Sequence, residues 1–169
     1  AKGFGVKELG GDDPVTQETN FMISSISKSF TGVGIMQLVE QGLIDLDAPV
    51  TEYLPYFTLQ EPQSREMTIR QLLSHTSGMP DCDNEAEYAS GAFQNEDTDL
   101  EEYVRSYSEK SMLFKPGEDW AYSTVGIDVL GDVIAKVSGM TFEEYMNKNV
   151  LGPLGMSHST FIIDEVESG

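Results

Sequence analysis

Phe21-Met22-Ile23-Ser24-Ser25-Ile26-Ser27-Lys28-Ser29-Phe30-Thr31 is the stretch on which the reading of this chain turns. It sets a serine three residues before a lysine, where a long apolar segment begins. Residues three apart share a helix face, so the Ser25 hydroxyl and the Lys28 amine can meet. Serine is a weak nucleophile at its free pKa and needs a base beside it. A lysine drawn out of water holds its proton less tightly and can serve as that base. Ser-x-x-Lys alone occurs by chance in most chains of this size, so its surroundings decide. Ile26, Phe30, Val33, Ile35, Met36, Leu38 and Val39 make the segment apolar on nearly every side, which predicts a helix buried in a core. A lysine without a purpose there would be costly. Ser24 or Ser25 is expected to cap this helix, and Gly42 to end it in the left-handed conformation. A serine at a helix start also feels the positive end of the dipole.

The chain has 169 residues, enough for one domain (residues 1–169) with a real core. No run is apolar for long enough to cross a bilayer as a helix. The sequence opens Ala1-Lys2-Gly3 with no secretory leader, which suggests a processed or excised piece of something longer. One cysteine, Cys82, cannot form an internal disulfide, and with two histidines far apart no metal-ligand spacing arises. The 29 acidic side chains face only 10 basic ones, a net charge of -19. That argues against nucleic acid or an anionic membrane surface as partner, since both require a basic patch. Much of the acid lies between Asp81 and Glu102, read as a solvated loop.

Along the chain, Gly3 to Leu9 reads as a short strand and Thr160 to Ile163 as another. Val50 to Leu54 is expected to be a short helix stopped by Pro55. Thr68-Ile69-Arg70-Gln71 carries a capping-box pattern and predicts a helix from Ile69 to about His75; Thr141-Phe142-Glu143-Glu144 repeats the pattern. Asp99 is placed to cap a helix through Lys110 with an apolar stripe of Leu100, Tyr103, Val104 and Tyr107. Ile127, Leu130, Ile134 and Val137 recur at helical spacing until Gly139 ends the run. Helix dominates and strand signals fall only near the two ends.

Five segments together resemble the serine β-lactamase-like superfamily, in its class C β-lactamase, D-alanyl-D-alanine carboxypeptidase and esterase branch. They are Phe21 to Thr31, Gly42 to Val50, Thr68 to Gly78, Pro116-Gly117 through Tyr122-Ser123, and Pro153-Leu154-Gly155-Met156. They stand in the family's order and span nearly the whole chain. The resemblance implies an α+β fold of which this chain is the mostly helical part, with the antiparallel sheet largely missing. It implies that Ser25 is an acylated nucleophile, that Lys28 is its partner, and that Tyr122 is the tyrosine of a Tyr-x-Asn motif. Thr124 stands where that motif has asparagine and is assigned to substrate binding. The family's Lys/His-Thr/Ser-Gly strand does not occur by Gly169, so an N-terminal portion of a larger enzyme is expected.

The implied activity is hydrolysis of an amide or ester (a β-lactam, a D-amino-acid peptide or a small ester) through a covalent acyl-enzyme, with no cofactor and no metal. The proton acceptor is Lys28 or Tyr122; the sequence leaves both open. A positive charge near Tyr122 would lower its pKa. The parent protein is expected to be exported, and the acidic loop to favour cationic substrates. The competing expectation is a non-catalytic fragment or binding module that keeps only the helical half. His75 invites a Ser-His-Asp reading, but no Gly-x-Ser-x-Gly elbow exists, and the resemblance gives its segment to packing a helix end. Core packing is the expectation for Trp120 and Phe114, and a surface position for His158.

Overall fold

The computed structural model describes residues 1–82 and 99–162. Most of the acidic loop, and the last residue of the expected strand at 160–163, lie outside the described residues. The helices are α1 (Ser27–Glu40), α2 (Ile69–Leu73), α3 (Leu100–Ser106), α4 (Thr124–Ser138) and α5 (Phe142–Tyr145), the last running into a π-helical turn, Met146–Leu151. Among the described residues there is no strand. The expected strand at Gly3 to Leu9 is reduced to one isolated bridge between Val6 and Pro14, and Thr160 to Ile162 pairs with nothing as a strand. Pairing needs a partner segment, and alternation in one segment does not supply it.

α4 is the hub, packed against α1, α2, α3 and α5. Its Val125, Val129, Leu130, Val133 and Ile134 are wholly buried. Gly139 ends it at φ 69°, the left-handed conformation a side chain would resist. α1 approaches it closely because residue 34 is glycine: a Cβ there would lie 2.7 Å from Met146 Cε and 3.0 Å from Ile134 Cδ1.

α1 buries only one face, that of Thr31, Gly34, Ile35 and Leu38. The sequence predicts burial all round, but Val33 and Met36 are 46% and 45% exposed. Only the side turned toward α4 and the π-helical turn meets packed side chains. The expected cap is also absent. A 3-10 turn, Ser24–Ile26, precedes α1, and no side chain caps either segment. Ser24 carries this turn at φ 46°. The Ser25 hydroxyl is thus not consumed by the helix start.

Other local signals hold. Thr68 and Gln71 form a reciprocal capping box at α2, as do Thr141 and Glu144 at α5. Asp99 caps α3, which continues as a 3-10 turn, Tyr107–Glu109, with Val104 and Tyr107 buried. Val50–Glu52 is a 3-10 turn, and Gly42 follows α1 at φ 72°. After α2 the chain reverses through His75 at φ 59° and Gly78 at φ 76°. A Cβ on residue 78 would stand 2.0 Å from the Phe114 carbonyl oxygen, so this crossing requires glycine. The crossing brings residues 113–121 against the loop after α2, with Leu113 N–H on Gly78 O at 2.9 Å and Gly117 N–H on Thr76 O at 2.8 Å.

Candidate active site

Ser25, Lys28 and Tyr122 meet. Ser25 Oγ accepts from Lys28 Nζ at 3.2 Å and from the Tyr122 hydroxyl at 2.8 Å. The first contact follows from helical spacing across the 3-10 turn into α1. The second joins residues 97 apart in sequence and depends on α4 lying along α1. Lys28 Nζ also stands 5.0 Å from the centre of the Tyr122 ring. Burial pushes the Tyr122 phenol up, but its hydrogen bonds with Lys28 and Ser25 and the charge of Lys28 outweigh it, leaving the pKa below the ordinary tyrosine value. A phenol so held ionises more readily than a free one, so the phenolate form that can accept the Ser25 proton is easier to reach.

The pocket is not the dry one that the apolar segment suggests. Ser25 is exposed, Lys28 is half-buried and Tyr122 is 40% exposed. The exposure has the same origin as that of Val33 and Met36: the side of α1 turned from α4 carries no packed layer among the described residues.

Thr124 follows two residues after Tyr122. It is the first residue of α4, and its N–H donates to Asp81 Oδ1 at 2.8 Å. Ser123, just before it, caps α4 by accepting from Gly126 N–H at 2.9 Å and donates to Pro80 O at 3.0 Å. The loop after α2 therefore fixes the start of α4, and with it Tyr122.

His75 belongs to this loop and has no hydrogen bond to Ser25. Its ring lies against that of Tyr122, centroids 4.6 Å apart, and Trp120 stands edge-on to it at 6.3 Å. The expectation of a core position for Trp120 is overturned: it is 61% exposed, leaning on His75 at the rim of the cluster. Phe114 is half-buried and His158 exposed.

The sequence reading missed two carboxyl groups, Asp81, whose charge acts on Tyr122, and Asp128, on which the charge of Lys28 acts. Asp81 caps the approach to α4, and Asp128 lies one helical turn beyond Thr124 with Oδ2 buried and without a hydrogen-bond partner. The i, i+4 relation of residues 124 and 128 was the available signal. Among the described residues no group of His, Cys, Asp or Glu is placed to hold a metal ion, and no helix is long and apolar enough to cross a membrane.

Comparison with known proteins decides the family. Residues 1–168 match the Beta-lactamase family model. The chain belongs to the Beta-lactamase family. It is 32% identical over 162 residues to Protein flp of Staphylococcus aureus (strain MW2), covering 95% of this chain and 32% of that protein. It is 32% identical over 163 residues to Penicillin-binding protein 4* of Bacillus subtilis (strain 168), covering 92% of this chain and 34% of that protein. The chain thus spans about a third of the length of these curated relatives. The solved octameric penicillin-binding protein homologue from Pyrococcus abyssi superposes with a TM-score of 0.82 at 37% identity, over 99% of this chain and 39% of that one. The hydrolase EstCE1, described as having promiscuous acyltransferase activity, superposes with a TM-score of 0.72 at 31% identity, over 85% of this chain and 40% of that one. Hydrolases of the β-lactamase and penicillin-binding-protein type are therefore its relatives in both sequence and fold.

Proposed function

We propose that this chain carries the nucleophile-bearing part of a serine hydrolase that transfers acyl groups from amides or esters. The observation that supports this most directly is the single oxygen, Ser25 Oγ, receiving hydrogen bonds from both Lys28 and Tyr122. Both groups lie within hydrogen-bond reach of that oxygen, so either one, once deprotonated, can take its proton, which is what a serine nucleophile requires.

The steps follow from that geometry. Ser25 Oγ attacks the substrate carbonyl and its proton passes to Tyr122, whose phenolate is stabilised by the Lys28 ammonium. The leaving amine or alcohol takes a proton from the same pair as the carbonyl–leaving-group bond breaks, which leaves an ester on Ser25. Water then attacks this ester, giving its proton to Tyr122; as the Ser25 Oγ–acyl bond breaks, Oγ takes that proton from Tyr122, and the acid departs with Ser25 restored. Thr124, at the start of α4, is assigned to the substrate side. An α+β architecture, its sheet outside residues 1–169, belongs to the same reading; the threefold greater length of the relatives supports it.

Incubation of the full-length protein with a fluorescent penicillin or an activated phosphonate, followed by intact-mass measurement, tests the reading. One adduct per chain is expected, absent from Ser25→Ala. Lys28→Ala should slow its formation by about two to four orders of magnitude, the usual worth of a positioned acid–base group. A folded protein that takes no label would favour the binding-module alternative.

A further inference from the structure

His75 grips the segment that carries Tyr122 on three successive residues. Its carbonyl oxygen accepts from Ala121 N–H at 3.0 Å. Its ring packs on the Tyr122 ring with planes inclined at 39°. Its Nδ1 accepts from Ser123 N–H at 3.3 Å. The residue pays for this grip with a backbone φ of 59°, in the left-handed region that non-glycine residues seldom occupy. A residue needed only to end α2 would have no use for a ring turned onto a tyrosine 47 positions later in the sequence.

We infer that His75 is a positioning residue that holds the Tyr122 hydroxyl on Ser25, acting as a neutral imidazole through ring contact and a backbone hydrogen bond. The inference rests on the acyl-transfer reading above and deepens it. Since Nδ1 accepts a hydrogen bond, the remaining proton is on Nε2, and this is the tautomer the grip requires. Burial and the charge of Lys28 keep the imidazole pKa below its usual value, against an opposing pull from Asp81. The groups around it therefore favour the form that can accept. Trp120 stands edge-on to the same imidazole.

The position is built for orientation and not for proton transfer. His75 forms no hydrogen bond to Ser25, and the only proton acceptor it offers, Nδ1, is occupied by Ser123. Removing the ring leaves Tyr122 free to swing on its side chain. The phenol would then lose its fixed approach to both Ser25 and Lys28, and its pKa would climb back toward the ordinary tyrosine range.

The test uses the full-length protein and two replacements. His75→Asn tolerates the left-handed backbone and keeps a side-chain acceptor, but removes the ring. His75→Gly takes the same φ without strain and serves if the first variant is poorly folded. Two quantities are read: the saturation kinetics of phosphonate labelling at Ser25, and the Tyr122 titration, taken as the ultraviolet difference between each protein and its Tyr122→Phe counterpart. Loss of the ring should lower the limiting labelling rate by on the order of 10²-fold, the effect of a reacting group displaced by about 1 Å. The half-saturating concentration should hold within about twofold, and the Tyr122 titration should move to higher pH. In a Tyr122→Phe background the His75 replacement should have no further effect on the rate, because it acts through that phenol. Labelling within a few fold of the parent, an unmoved Tyr122 titration, or rate losses that simply multiply would each overturn the inference. A parent protein that takes no label overturns the acyl-transfer reading instead, and the titration then still decides whether His75 holds Tyr122.

Discussion

At the scale of single residues, the cluster around Ser25 is framed by one group whose environment works against its charge. Asp128 has a buried oxygen with no hydrogen-bond partner. Burial pushes its pKa from the ordinary 3.8 up to about 7; Lys28 pulls it down and Asp81 adds to the rise. The folded protein therefore holds this proton more tightly than the unfolded chain. As pH rises from about 4 the unfolded chain releases its proton first, so the contribution to stability is full below pH 4 and is lost as pH passes through about 7. Asp128→Asn keeps the shape and never ionises. Relative to the parent it should be stabilised at pH 8 by on the order of 1–3 kcal/mol more than at pH 5, the range for an unsatisfied buried group. Urea midpoints at the two pH values measure this, and an equal difference at both would mean that Asp128 ionises as an exposed carboxyl does. Ser25 and Lys28 were legible in the sequence because their relation is local, three positions on one turn. Tyr122 was legible only through resemblance to a family motif. Asp128 and the part played by His75 were not, since both depend on which residues α4 and the loop after α2 bring together.

At the scale of elements, the site depends on how α4 begins. Ser123 is buried and closes that end twice, once to Gly126 N–H and once to Pro80 O. Asp81 holds the next N–H, that of Thr124. Ser123→Ala leaves a buried carbonyl and a helix-start N–H without partners. The expected cost is about 1–2 kcal/mol, in the upper part of the range for a lost cap. Because Tyr122 is the adjacent residue, phosphonate labelling of Ser25 should slow as well, even where the protein is fully folded. Urea denaturation and labelling on the same sample measure both effects; parent-like stability would show that the loop after α2 anchors α4 without this serine. The capping boxes at Thr68 and Thr141, and the left-handed ends at Gly42 and Gly139, could be read from sequence because each is a pattern within four residues. Which faces are buried could not. The residues of α1 are apolar on several sides, and only the neighbouring elements determine that Ile35 is covered while Val33 is not.

At the scale of the whole molecule, charge dominates what solution conditions can do. The 29 acidic side chains exceed the 10 basic ones by far, so most carboxylates have no base to pair with. Bases that are engaged sit in exposed or half-exposed pairs, such as Arg70 with Asp47 at 2.7 Å and Arg105 with Glu101 at 2.6 Å. Added salt acts on both populations. It weakens the surface pairs, each worth roughly 0–1 kcal/mol. It also screens the repulsion among unpaired carboxylates, which acts over the whole surface and opposes the compact state. The Debye length shrinks from about 10 Å at 0.1 M to about 3 Å at 1 M, so repulsion between carboxylates spaced across the surface is removed almost entirely. Pairs in contact keep part of their attraction at that salt, because their separation is no larger than the screening length. Screening should therefore stabilise on balance, and the thermal midpoint at pH 7 should rise between about 0.05 M and about 1 M sodium chloride. Repeating the scan near pH 4.5, where many exposed carboxylates are partly protonated, should shrink the rise because less repulsion remains to be screened. A midpoint that falls with salt at pH 7 would show that the local pairs, Arg70–Asp47 and Glu101 with Arg105 and Lys136, outweigh the collective repulsion.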